Sequence, residues 1–264
     1  TYDRITYYGW ERRFNPELLS KTGKQFDLFS DEPVNALQPL IDQTIQLTDA
    51  FRQLKQLADE GCGKAYFIVA RMYWGGQGVA KNVEKYNFFN KCAFQWLFNH
   101  RELIDSEIWR DLAYLYQNGL GTQQDDEQAF YWFRKSAESG NISAQGYLGW
   151  MYERGRGLKV DSEMAAFWYQ NAAEQGHPTA QYYLGKMYQD GRGMDQEYTQ
   201  SVFWYRKAAE QGQTQAQAHL GCTYAERVNG LKRDYKQSTY WYQRATELGY
   251  TSAQLTLNDY YEYG

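Results

Sequence analysis

Ala144-Gln145-Gly146-Tyr147-Leu148-Gly149-Trp150-Met151-Tyr152 returns 36 residues later as Ala180-Gln181-Tyr182-Tyr183-Leu184-Gly185-Lys186-Met187-Tyr188. A weaker copy keeps Ala216-Gln217, Leu220-Gly221 and Tyr224. The leucines at 112, 148, 184 and 220 each stand 36 residues apart. A second block follows each first one, as Trp132-Phe133, Trp168-Tyr169, Trp204-Tyr205 and Trp241-Tyr242. A third closes three of the units, as Ala137-Glu138-Ser139-Gly140, Ala173-Glu174-Gln175-Gly176 and Ala209-Glu210-Gln211-Gly212. Self-similarity at a fixed period is the mark of a repeat architecture.

Each unit reads as two helices. Ala144, Leu148 and Tyr152 fall at i, i+4 and i+8, a single helical face. Ala165, Trp168, Tyr169, Ala172 and Ala173 form a second apolar stripe at helical spacing. Gly149 and Gly185 sit mid-helix, where glycine costs about 1 kcal/mol relative to alanine. A cost repeated at one position predicts close approach of a neighbouring helix, with a large Trp or Tyr inserted against the glycine. Gly155-Arg156-Gly157 and Gly191-Arg192-Gly193 end the first helix and supply its positive-φ exit. Asp161 is placed to cap the second helix, and Gly140, Gly176 and Gly212 terminate it.

Composition narrows the function classes. The chain has 264 residues, 43% hydrophobic, with 9 Trp, 25 Tyr and 13 Phe against 4 Pro. Mean hydropathy is nonetheless −0.79, so the apolar mass sits in large rings that pack at one end and reach solvent at the other. A net charge of −4 gives no global field toward nucleic acid or anionic lipid. No apolar run is long enough for a transmembrane helix. The first residue is Thr1 rather than Met, which a removed signal peptide or a trimmed chain would each explain.

On these motifs the sequence resembles the Sel-one-like repeat family (SLR), relatives of the tetratricopeptide repeat. The shared pattern is A-x-x-x-L-G-x-M-Y-x-x-G-x-G followed by A-x-x-W-Y-x-x-A-A-E-x-G. Its best copies run from Ala144 to Gly176 and from Ala180 to Gly212, and the resemblance covers about residues 50 to 264. It implies an all-α fold, a right-handed α/α superhelix of antiparallel helix pairs with the first helices lining a concave surface. The expected organisation is a non-repeat cap segment over 1–33 and a solenoid over 34–264. That solenoid holds about five repeats, a degenerate leading helix and a lone C-terminal helix from Ala253 to Gly264.

The outer copies are degraded. Ala65, Val69-Ala70, Met72-Tyr73, Gly76 and Gly78 form a first unit, with Phe88-Phe89 in place of the aromatic pair. From Val69 to Leu112 the anchor steps 43 residues rather than 36. The extra residues lie around Phe94 to Glu107, where a lengthened helix or a kink is expected. The last unit loses its loop glycine pair and gains one residue near Val228.

Catalytic and metal chemistry find no support. His100, His177 and His219 lie far apart, with no HExxH-like spacing, and read as structural. The Gly-x-Gly loops follow helices and lack the Lys-Ser/Thr of a phosphate loop, so they read as repeat punctuation. The Trp-Tyr pairs lack a basic track and read as core rather than as a nucleic-acid stacking platform. No S-x-x-K occurs, which sets the chain apart from cysteine-rich SLR proteins linked to penicillin binding. No enzyme, cofactor or metal is expected. In the repeat frame Cys62 begins a first helix and Cys92 lies late in the following one. That leaves a Cys62–Cys92 disulfide and two small thiols as alternatives, with Cys222 free.

If the tetratricopeptide-like geometry implied by the resemblance holds, the partner groove comprises the first-helix positions two before, two after, five after and six after the repeat leucine. In the first two units these are Phe67, Arg71 and Trp74, then Arg110, Tyr114 and Gln117. The next unit contributes Trp150, Glu153 and Arg154, and the one after it Tyr182, Lys186, Gln189 and Asp190. Trp, Tyr and Arg carry most hot-spot energy at interfaces. The resemblance thus implies a non-catalytic, monomeric module that grips another protein, without nucleic acid or a membrane span. Within the family the expected role is a bacterial immunity protein neutralising a toxic effector, in the periplasm, with the cytoplasm as the alternative compartment. An envelope adaptor or a peptide or cell-wall-fragment binder is the alternative.

Overall fold

The structure, a computed structural model, describes residues 44–103, 105–225 and 233–247. The expected cap over 1–33, the final helix from Ala253 and the insertion near Val228 lie outside these residues. The described residues form eleven helices and no strand. The chain divides into two compact units after Trp132.

In the first unit α1 (Thr44–Asp59) is followed by α2 (Gly63–Gly75), α3 (Val83–Asn99), α4 (Ser106–Asn118) and the start of α5 (Asp126–Glu138). The second unit continues with α6 (Ile142–Arg154), α7 (Ser162–Glu174), α8 (Pro178–Asp190), α9 (Tyr198–Glu210), α10 (Thr214–Ala225) and α11 (Tyr235–Glu247). The off-period segment is taken up by a longer helix and a longer connection to the next. α3 has 17 residues where α5, α7, α9 and α11 have 13.

Local signals place the ends. Asp161 Oδ1 accepts from the Met164 N–H at 3.0 Å and starts α7, as its position predicts. Asn141 does the same for α6 through Ala144 N–H at 2.9 Å. His177 caps α8 with Nδ1 accepting from Ala180 N–H at 3.2 Å, and Pro178 occupies the first helical position. Gly155 and Gly191 both adopt φ of 65° at the exits of α6 and α8. The second loop glycine answers a different need. A Cβ on Gly193 would stand 2.1 Å from the Ser162 carbonyl oxygen at the start of the preceding second helix.

The core is built around a ring seated on a glycine. A Cβ at Gly149 would meet the Tyr169 ring at 2.7 Å, and Gly185 and Gly221 present the same notch to Tyr205 and Tyr242. Tyr169 and Tyr205 also meet a ring of the next repeat. Tyr169 stacks on Tyr183 at 5.1 Å and Tyr205 on His219 at 5.1 Å, while Phe133 stacks on Tyr147 at 4.7 Å. Such pairs contribute about 0.5–1.5 kcal/mol beyond burial. Leu148, Leu184 and Leu220 are fully buried beside them. Trp132, Trp204 and Trp241 are buried as their positions predict, and Trp168 is half-buried.

A glutamine ladder runs parallel to the rings. Buried Gln145, Gln181 and Gln217 donate to the carbonyls of Ala137, Ala173 and Ala209 in the preceding second helix. The amide oxygens of Gln145 and Gln181 accept from Gln175 and Gln211 at 2.7 and 2.8 Å. Gln217 Oε1 is buried with no partner among the described residues. At the matching place in its repeat the sequence carries Leu248, which has no donor to offer.

Opposite outcomes are expected at two buried glycines of α6 and α8. Gly185→Ala should lower stability by about 1–3 kcal/mol from overpacking against Tyr205, more than helix propensity returns. Gly146→Ala meets its neighbour, the His177 ring, only at 3.5 Å and should raise stability by up to about 1 kcal/mol. Gln211→Leu, which copies the last repeat's deficiency, should cost about 1 kcal/mol by orphaning the Gln181 carbonyl. Urea denaturation midpoints read all three.

Candidate functional site

The first unit offers only part of its expected groove wall. Phe67 and Gln117 are buried. Arg110 is 5% exposed, and its guanidinium donates to Asp111 Oδ1 at 2.9 and 2.7 Å and pairs with Glu107 at 2.5 Å. A buried cation needs such partners, and here they lie on its own helix. What remains open is Trp74, 48% exposed, whose ring packs at 5.0 Å against Tyr86, together with half-buried Arg71 and Tyr114.

Second-unit candidates cluster more tightly. Trp150 is half-buried at mid-α6, with the Arg156 guanidinium 5.8 Å from its ring centroid. The Glu153 side chain is 7% exposed, accepts from the Tyr169 hydroxyl at 3.0 Å and pairs with Arg192 at 2.9 Å. Gln189 accepts from the Tyr205 hydroxyl at 2.7 Å. The core rings therefore reach through to the first-helix side and pin these two residues. Burial, and then the Glu153 charge, push the Tyr169 hydroxyl well above its ordinary pKa, which keeps it a donor. Arg154 and Asp190 are exposed, and Lys186 is half-buried.

Tyr182 is buried rather than open, because the next repeat covers it. Its hydroxyl lies 3.3 Å from His219 Nε2. The positional rule for a groove counts residues along one helix and does not register a ring arriving from the neighbour. The same rule misses Arg156 and Arg192, which stand in the Gly-Arg-Gly loops rather than on the helices, although their repetition in sequence is the signal that would have found them.

The histidines take structural places. His100 stacks on Trp96 at 4.1 Å, and Nδ1 meets the Trp96 carbonyl at 2.7 Å. Cys62, Cys92 and Cys222 are free thiols, so the structure has the unbonded alternative at Cys62 and Cys92. Burial raises the Cys92 thiol pKa and holds it protonated. Among the described residues no cluster of His, Cys, Asp or Glu is arranged to hold a metal, and no helix is long and apolar enough to cross a membrane.

His219 ties this site to pH. Burial chiefly, with Lys186 adding and Asp190 opposing, lowers its pKa from an ordinary value of 6.5. The folded state thus favours the neutral ring. The resulting stability is fully present above that ordinary value and is lost as pH falls below it. Thermal melts from pH 8 to 5 should show acid destabilisation in the native chain, and His219→Gln should flatten that slope.

The family model described as Sel1 repeat matches residues 63–97, 110–141, 142–177, 178–213 and 214–250. A Sel1 repeat protein from Oxalobacter formigenes is 26% identical over 75% of this chain and 76% of its own, with a TM-score of 0.62. Immunity protein PA5088 from Pseudomonas aeruginosa is 17% identical over 89% of this chain and 86% of its own, with a TM-score of 0.54. Immunity protein Pa5087 from the same organism is 19% identical over 81% and 78%, with a TM-score of 0.52. Comparison with curated proteins finds no match.

Proposed function

We propose a function from this premise: the chain belongs to the Sel1 repeat family, whose fold is a protein-interaction module. Its first helices hold a partner protein, and that partner is a secreted antibacterial effector which the chain neutralises in the periplasm. The observation that carries the binding reading is the division of the tryptophans. Trp109, Trp132, Trp204 and Trp241 are buried and Trp168 is half-buried on a second helix, whereas Trp74 is 48% exposed and Trp150 is half-buried, each on a first helix. A large ring kept open to water beside Arg71 or Arg154 matches the composition of interface hot spots.

The immunity role draws support from fold. Two Pseudomonas aeruginosa proteins of this architecture are immunity proteins. The side chains add a physical reason. Hydroxyls from the core fix Glu153 and Gln189, so the face is ordered before the partner arrives, and little conformational entropy is left to lose on binding.

Affinity purification of the tagged chain from its native cells, with cross-linking, should recover one dominant protein. Trp74→Ala and Trp150→Ala should each reduce its recovery about 10-fold or more while the thermal midpoint stays within a few degrees. Expression of the recovered protein alone should arrest growth, and the native chain should restore it. Recovery of a harmless envelope assembly protein would replace the immunity role with an adaptor's.

A further inference from the structure

We infer that the first-helix face of the second unit selects an acidic segment of its partner, seated against Trp150; this rests on the protein-binding reading above. The chain as a whole carries a net charge of −4, yet this face is positive. Its two described carboxylates, Glu153 and Asp190, both converge on Arg192, at 2.9 and 3.2 Å. One guanidinium therefore holds both carboxylates and cancels one of their two charges, and Arg154 and Lys186 outweigh the charge that is left. Arg154 and Lys186 are left with no ion pair among the described residues, the first exposed and the second half-buried. The Arg156 guanidinium lies 5.8 Å from the Trp150 centroid.

The fields of these cations are felt inside the unit. Arg154 lowers the Tyr169 hydroxyl pKa against the dominant effect of burial, and Lys186 lowers that of His219. Arginine presents a planar fork that suits a carboxylate, and lysine a point charge. A partner segment bearing carboxylates around an apolar side chain would satisfy Arg154 and Lys186 and cover Trp150. The first unit contrasts with this, since Arg110 on α4 has its charge met by Glu107 and Asp111. The acidic-segment specificity therefore belongs to the second unit.

Two fluorescein-labelled peptides test the idea, one alternating glutamate with leucine and one alternating lysine with leucine, read by anisotropy with the full chain. The acidic peptide should bind and weaken roughly 10-fold between about 20 mM and about 300 mM salt. R154E/K186E should weaken it about 10-fold or more, R154K much less, and circular dichroism of each variant should match the native chain. Equal binding of the two peptides, or no change in R154E/K186E, overturns the inference. The captured partner separates two kinds of failure. If W150A loses it while R154E/K186E keeps it, the acidic segment is wrong and protein binding stands. If W74A and W150A both keep it, the protein-binding reading itself falls.

Discussion

A tyrosine ring pressed onto a glycine is the contact on which the repeat depends. Tyr169 can press against α6 only because position 149 has no side chain, and its ring also stacks on Tyr183. One residue thus joins the two helices of its own repeat and attaches the next. The mid-helix glycine, unfavourable by propensity alone, is stabilising in context because it admits a ring that is 1% exposed. Tyr205 repeats the arrangement and Tyr242 repeats its seat on a glycine, so the period of the sequence is the period of this contact.

The same rings link the core to the candidate binding face. Tyr169 and Tyr205 end in hydroxyls that donate to Glu153 and Gln189, and Tyr242 donates to Cys222 Sγ at 2.9 Å. A core substitution that removed a hydroxyl would therefore loosen a first-helix residue without changing the fold. Phenylalanine already stands at position 133, and that repeat has no hydroxyl to give.

Much of the fold was legible because it obeys intervals within one helix. Leucine spacing, the loop glycines, the Asp161 cap and the burial of Trp132, Trp204 and Trp241 all follow from local periodicity. The candidate site was legible only in part. Trp74, Arg154 and Asp190 are exposed and Trp150 is half-buried, whereas Tyr182 is covered by His219 and Glu153 is engaged by Arg192, 39 residues away in sequence. Those contacts join successive repeats, and a helix-by-helix count has no access to them. The glutamine ladder had a visible sign in the repeated Ala-Gln block. A polar residue on an apolar stripe reads as tolerated rather than required until its amide is seen to hold two repeats together.

The glutamines also act as a ruler. Gln145 and Gln181 each span from a carbonyl behind to an amide at a constant offset ahead, so a deletion or duplication of one whole 36-residue unit leaves these bonds intact. Loss of a few residues inside a unit would instead strand a buried amide on each side of the cut. Length in this chain is thus adjustable only in whole repeats, and a lineage matching it to partners of different size would change by adding or removing complete helix pairs.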